Sequence, residues 1–75
     1  MSSMAKIWRN RVEGGTQKTV DCPSRYYDDM ITLITQDYTS GKISKSRLET
    51  LVENENITPE EYKTITGEDY EGGKS

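Results

Sequence analysis

Few side chains in this chain could carry out chemistry. It contains no histidine and one cysteine, Cys22, so the usual base that activates a nucleophile is missing and no Cys/His metal site can form. Cys22 precedes Pro23 at an expected helix start, where a thiol pKa is lowered. The alternative is an unreactive thiol in a half-buried loop. A single cysteine also excludes an intramolecular disulfide.

Carboxylates occur as adjacent pairs, namely Asp28–Asp29, Glu60–Glu61 and Glu68–Asp69. Acid–base catalysis needs two carboxyl groups that face one site, whereas neighbouring residues on a helix point about 100° apart. The sequence shows no calcium-loop, phosphate-loop or zinc pattern. We therefore predict that the chain is not an enzyme and has no catalytic, cofactor-binding or metal-binding residues.

Aromatic and cationic side chains lie together at two places, a composition that is typical of protein–protein hot spots. We predict a partner-binding role for six residues. They are Trp8, Arg9, Arg11, Arg25, Tyr26 and Tyr27. Two alternatives stay open: core aromatics flanked by solvated arginines, and stacking on single-stranded nucleic acid.

The charge is unevenly distributed along the chain. Residues 1–20 hold four basic residues and one acidic residue, a net charge of +3, whereas residues 21–75 carry a net charge of −6. Nucleic-acid binding relies on a broad cationic face, and no helix expected after the first has a net basic face. We therefore expect no nucleic-acid partner and disfavour a DNA-binding helix-turn-helix.

Hydrophobic periodicity predicts an all-α fold. We expect a small bundle of one long central helix, an N-terminal helix and two short C-terminal helices, and one domain over residues 1–75. The expected helices lie near residues 4–13, 23–40, 45–54 and 59–66, with residues 1–3 and 71–75 flexible.

Apolar residues at helical spacing define the expected core. In the first helix they are Met4, Ile7, Trp8 and Val12, and in the second they are Tyr27, Met30, Ile31, Ile34 and Tyr38. Val20 is the single apolar anchor expected in the connection between these helices. Short helices are unstable alone, so we expect both C-terminal helices to pack on the second helix.

Residues 43–54 and 57–66 are similar short units whose cap and apolar positions recur fourteen residues apart. The second unit has the more complete set of helix start and stop signals. Thr58 fits an N-cap, Pro59 fits the first helical position, and Glu61 completes a capping box. Gly67 supplies a left-handed stop, and Tyr70 is expected to fold back onto the core.

Residues 48–70 resemble the XkdX family of small phage and prophage proteins of Gram-positive bacteria. The resemblance rests on Ile57-Thr58-Pro59-Glu60-Glu61-Tyr62 followed by Ile65-Thr66-Gly67-Glu68-Asp69-Tyr70, close to the end of the chain. Asn56 stands where that family usually has glycine. The resemblance implies a position among tail and lysis genes and a virion-associated or late accessory role, with no known catalytic residues.

The leading functional prediction is a small phage or prophage protein of the virion or tail region that acts by contact with a phage structural or host protein. It is expected in the host cytoplasm or the virion, without a signal peptide or membrane span. Because so small a domain is marginally stable, homo-oligomers are also considered. The alternative is an acidic regulatory protein that inhibits a host factor by mimicking phosphates. Its mimicking carboxylates are those of Asp37, Glu49, Glu53, Glu55, Glu60 and Glu61.

Overall fold

Four α-helices and one short 3-10 helix make up the part of the chain that the computed structural model describes, residues 3–70. No strand occurs in those residues, so the all-α prediction is confirmed. The helices are α1 Ser3–Glu13, α2 Ser24–Ser40, α3 Lys45–Glu53 and α4 Pro59–Thr66, and the 3-10 helix is Thr19–Asp21. None of the described helices is long and apolar enough to cross a membrane.

Local signals set the helix ends. The Ser44 side chain accepts a hydrogen bond from the Arg47 backbone N–H at the start of α3. At the start of α4, Thr58 and Glu61 form the expected capping box around Pro59. Gly41 ends α2 in a left-handed conformation, with φ 87°, which a residue without Cβ adopts at little cost.

The buried face of α1 differs from the expected one. Ala5, Trp8 and Val12 are buried, but Met4 and Ile7 are exposed, with 38% and 39% of their surfaces accessible. The expected stripe was therefore wrong at two of its four positions. Ala5, at i−3 from Trp8, shares its face of the helix and takes the buried position instead.

The second helix, α2, buries Met30, Ile31, Leu33 and Ile34 and packs against both α1 and α4. The expected support of α4 by α2 is thus observed. The main helical contact of α3 is with α4 instead, because the two are joined by a short turn. That α2 is the central element of the whole bundle therefore stays a prediction.

The connection between α1 and α2 is anchored by a polar side chain. Val20, the expected apolar anchor, is 73% exposed, while Thr19 is 1% exposed, so that expectation was wrong. The Thr19 backbone N–H donates to the Asn56 carbonyl at 2.9 Å, and the Asn56 amide donates to the Gln17 carbonyl at 2.8 Å. These bonds tie the connection to the α3–α4 turn.

The described end of the chain folds back as expected. The ring of Tyr70 lies edge-on against that of Tyr62, with 5.3 Å between the centroids, and Lys45 pairs with Glu68. The expected flexible segments fall mainly on residues 1–2 and 71–75, which lie outside the described residues; Ser3 is the first residue of α1.

Candidate partner-binding surface

One flank of α1 exposes apolar and cationic groups side by side. Met4, Ile7 and Arg11 follow each other at i, i+3 and i+7 and are all exposed, so they share one face of the helix. We call these three residues the α1 stripe. Trp8 lies beside the stripe but is only 9% exposed and belongs to the core. Of the residues predicted near Trp8, Arg11 alone is freely presented to a partner.

Arg9 has a partner within the chain. Its Nη1 donates to Asp37 Oδ2 at 2.9 Å, and the two side chains are 19% and 11% exposed. Arg9 therefore ties α1 to the last turn of α2. An arginine held in this way is a poorer candidate for binding another protein than Arg11.

Arg25 and Tyr26 form a second small surface, in the first turn of α2. The Arg25 guanidinium carbon lies 5.6 Å from the centroid of the Tyr26 ring, a distance at which a cation is attracted to an aromatic face. Arg25 is exposed and Tyr26 is half-buried against the core. This pair remains accessible to a partner.

Tyr27 is held from inside the molecule. Its hydroxyl donates to a carboxylate oxygen of Glu61. Burial, followed by this hydrogen bond to Glu61, raises the pKa of the Tyr27 phenol well above its usual range. The geometry therefore gives Tyr27 a structural contact, and its predicted partner-binding role stays untested.

The six predicted residues do not form one surface. Arg9 meets Asp37 near the end of α2, whereas Arg25 and Tyr26 lie in its first turn. At about 1.5 Å per residue, Arg25 and Asp37 are separated by about 18 Å along the helix axis. The structure thus offers two separate accessible surfaces, the α1 stripe and the Arg25–Tyr26 pair.

A buried carboxylate, Glu61, joins three elements behind these surfaces. Its Oε1 accepts from Thr19 Oγ1 at 2.6 Å and from the Thr58 backbone N–H at 2.8 Å, and its Oε2 accepts from Tyr27. We call these four residues the Glu61 network. The capping box predicted only the bond from Thr58. No local signal could reveal Thr19, which is 42 residues away in the chain.

The proposed phosphate mimics are only partly exposed. Asp37 and Glu61 are 7% and 8% exposed, and Glu49 is half-buried and accepts from the Tyr62 hydroxyl at 3.4 Å. The expectation of six surface carboxylates was therefore wrong for Asp37 and Glu61, because internal donors hold both. Three members of the set are exposed: Glu53, Glu55 and Glu60.

Within residues 3–70, the thiol and the paired carboxylates considered for catalysis are poorly placed for it. Burial raises the pKa of the Cys22 thiol, and its Sγ lies 3.5 Å from the Pro23 carbonyl, so the geometry does not favour a reactive thiolate. Glu60 faces solvent while Glu61 is buried, so that pair does not face one site. No cluster that could hold a metal ion occurs among the described residues.

A shallow cleft of about 250 Å³ lies at the C-terminal end of the described chain. Two of its polar side chains pair with each other, since Lys63 Nζ lies 3.2 Å from Asp69 Oδ1. The lining residues are Pro59, Glu60, Lys63, Asp69 and Tyr70.

A small helical phage protein is the class that the fold and the comparisons define. The model of a phage uncharacterised protein family, Phage_XkdX, matches residues 33–70, just over half of the chain, and the chain belongs to this family. The match extends the resemblance seen at residues 48–70 into the second half of α2. Comparison with curated proteins and with solved structures gave no match.

The family match and the accessible surfaces fall on different parts of the chain. The matched segment contains the second half of α2, α3, α4 and Tyr70. All six predicted partner-binding residues precede residue 33, as does the α1 stripe. These surfaces therefore belong to the part of this chain that the family match leaves out.

Proposed function

We propose that this phage protein is an accessory component of the virion or tail region, that it acts by protein–protein contact without catalysis, and that the α1 stripe is its main contact surface. The observation that carries the proposal is the joint exposure of Met4 and Ile7 beside Arg11. Methionine and arginine are enriched at protein interfaces. The protein would work in the host cytoplasm during assembly or in the finished particle.

The charge distribution indicates the kind of partner. Residues 1–20 carry a net charge of +3, and Arg11 is exposed within the α1 stripe. A partner surface with an apolar centre and an acidic rim would complement the α1 stripe, since opposite potentials favour encounter and fix orientation. A phage structural protein or a host protein could present such a surface, and so could a second copy of this acidic chain.

The acidic regulatory alternative receives less support. It requires a broad array of surface carboxylates, and two of the six proposed ones are buried. The three exposed members, Glu53, Glu55 and Glu60, lie on different elements, namely the end of α3, the α3–α4 turn and the first turn of α4. The timing of expression separates the two functions, because a regulatory protein would appear early and be absent from particles.

The test compares two variants with the same change in charge. Arg11→Glu reverses a charge within the α1 stripe, and Lys6→Glu reverses one about 140° away around the same helix. Phage particles assembled with each variant are purified, and the copy number of the protein is measured by quantitative mass spectrometry. We expect Arg11→Glu to reduce incorporation at least about tenfold and Lys6→Glu to leave it close to wild type.

Thermal melts of both purified variants establish that the fold is retained. Equal incorporation of the two variants would remove the α1 stripe from the proposal. Absence of the wild-type protein from purified particles, together with early expression, would overturn the virion role and favour the regulatory alternative.

A further inference from the structure

Two carboxyl groups meet at the junction of the first two helices. Glu13 is the last residue of α1, and Asp37 lies in the last turn of α2. Glu13 lies one helical turn after Arg9, which donates to Asp37 at 2.9 Å, so Glu13 is on the face of α1 that meets Asp37. Glu13 Oε2 is buried there without a hydrogen-bond partner, and the Asp37 carboxyl is the acidic group that acts on it. Two ionised carboxylates cannot hydrogen-bond to each other, so this contact is satisfied only when the pair holds a proton.

Three cationic groups surround the carboxyl pair. Arg9 of α1 donates to Asp37 at 2.9 Å. Lys42, which follows α2, acts on Glu13 through its charge. From α3, the Arg47 guanidinium donates to the Glu13 backbone carbonyl, with distances of 2.9 Å from Nη2 and 3.2 Å from Nε. The pair thus lies where α1, α2 and α3 meet.

We propose that Glu13 and Asp37 share one proton, and that this proton holds the C-terminal end of α1 against α2. The inference concerns how α1 is held to the rest of the chain and does not require that α1 bind a partner.

The causes that shift the pKa of Glu13 also favour the protonated carboxyl that this geometry requires. Burial, followed by the hydrogen bond and the charge of Asp37, raises the pKa of Glu13 to about 7, while Arg9 and Lys42 oppose this rise. In the unfolded chain a glutamate ionises near 4.5. The stabilisation from the shared proton is therefore complete below about 4.5 and is lost as the pH rises through about 7. Above that pH the two charges repel each other across the junction.

The first measurement is a carboxyl titration of the intact wild-type protein by carbon-detected NMR. We expect the Glu13 carboxyl to show an apparent titration step near pH 7. Titration of the Glu13 carboxyl entirely below pH 5.5 would overturn the proposal. This measurement needs no variant, so it decides the question even if substitutions prevent folding.

The second measurement is amide hydrogen exchange at pH 5.5 and 8.0, corrected for the intrinsic pH dependence of exchange. In the wild-type protein, protection of α1 should fall at least about threefold between these pH values, and that of α4 should change less. Glu13→Gln replaces the proton by an amide donor and should give α1 protection that is independent of pH. Glu53→Gln, an exposed change on α3, should behave as wild type. The same pH dependence in Glu13→Gln as in wild type would contradict the proposal.

Discussion

Arg47 and Glu61 occupy equivalent positions in the two short helical units, each three residues after its helix cap, and both contact the chain that precedes α2. The Arg47 guanidinium binds the Glu13 carbonyl, and the Glu61 carboxylate binds the Thr19 hydroxyl. The similarity between residues 43–54 and 57–66 therefore extends from the caps and apolar positions to a shared role. In both units this position attaches the N-terminal third of the chain to the C-terminal helices.

Glu61 is expected to be the most sensitive charged position for stability. Its replacement by alanine leaves the donors of Thr19, Tyr27 and Thr58 without their acceptor. We expect Glu61→Ala to lower the free energy of unfolding by about 2–4 kcal/mol, because lost hydrogen bonds to a charged group leave buried donors unsatisfied. Urea denaturation measures this change. The matched control is Glu60→Ala, which removes an exposed carboxylate from the same turn and should cost less than about 1 kcal/mol. Equal losses in both variants would show that the buried contacts contribute little.

The two neighbouring tyrosines should differ when their hydroxyls are removed. Tyr27→Phe removes one donor to Glu61 and should lower the free energy of unfolding by about 1–2 kcal/mol. Tyr26→Phe keeps the ring that contacts Arg25, and it should change the free energy of unfolding by less than about 0.5 kcal/mol. Both changes can be measured by urea denaturation of the purified variants. Combining Tyr27→Phe with Glu61→Ala should cost less than the sum of the single changes, because the two residues share one hydrogen bond.

Glu55 has a strained backbone that glycine should relieve. It is the one non-glycine residue with positive φ in the described chain, at 66°, and the left-handed region costs a side chain about 1–2 kcal/mol. We expect Glu55→Gly to raise the free energy of unfolding by about 0.5–1 kcal/mol, since part of the gain is offset by the flexibility of glycine in the unfolded chain. Its exposed ion pair with Lys18, at 3.7 Å, contributes little.

Glu53→Gly is the control for this change, because Glu53 is exposed and has a helical backbone at the end of α3. There glycine should be destabilising. Thermal melts of the two variants should therefore shift in opposite directions. A lower melting temperature for Glu55→Gly would contradict the expected relief of strain.

Cys22 should react slowly with thiol reagents. It is 9% exposed, and burial raises the pKa of its thiol, so little thiolate is present near pH 8. We expect its reaction with an aromatic disulfide reagent to be at least about tenfold slower in the folded protein than in denaturant. A Val20→Cys, Cys22→Ala double variant places the thiol at an exposed position and should react rapidly. Fast reaction of the wild-type protein would instead indicate an accessible, activated thiol.

The helices could be predicted from sequence because their signals are local. Thr58, Pro59 and Gly67 lie within the segment that they define, and the expected bounds 59–66 agree with α4. The expected start of the second helix at Pro23 differs by one residue from the observed start at Ser24. Caps and hydrophobic periodicity thus sufficed to locate each helix.

The faces of the helices and the candidate site were harder to predict, because they depend on contacts between distant residues. Met4 and Ile7 fit a helical stripe as well as Ala5 does, and only the packing of α1 against α2 decides which are buried. Asp37 is charged, as surface residues usually are, but it is buried because it forms an ion pair with Arg9. The sequence could therefore predict Arg11 and Arg25 as candidate contacts without showing that they lie on separate surfaces.

The hydrogen bonds to Glu61 cross the boundary of the segment that matches the family. Two of its three donors, Thr19 and Tyr27, precede residue 33, and a fragment comprising residues 33–70 would also begin in the middle of α2. In such a fragment the Glu61 carboxylate would keep only the hydrogen bond from the Thr58 backbone N–H. It would either stay buried with that single donor or become exposed. We therefore expect that the family segment of this chain does not fold on its own, and that a peptide of residues 33–70 shows little helix by circular dichroism.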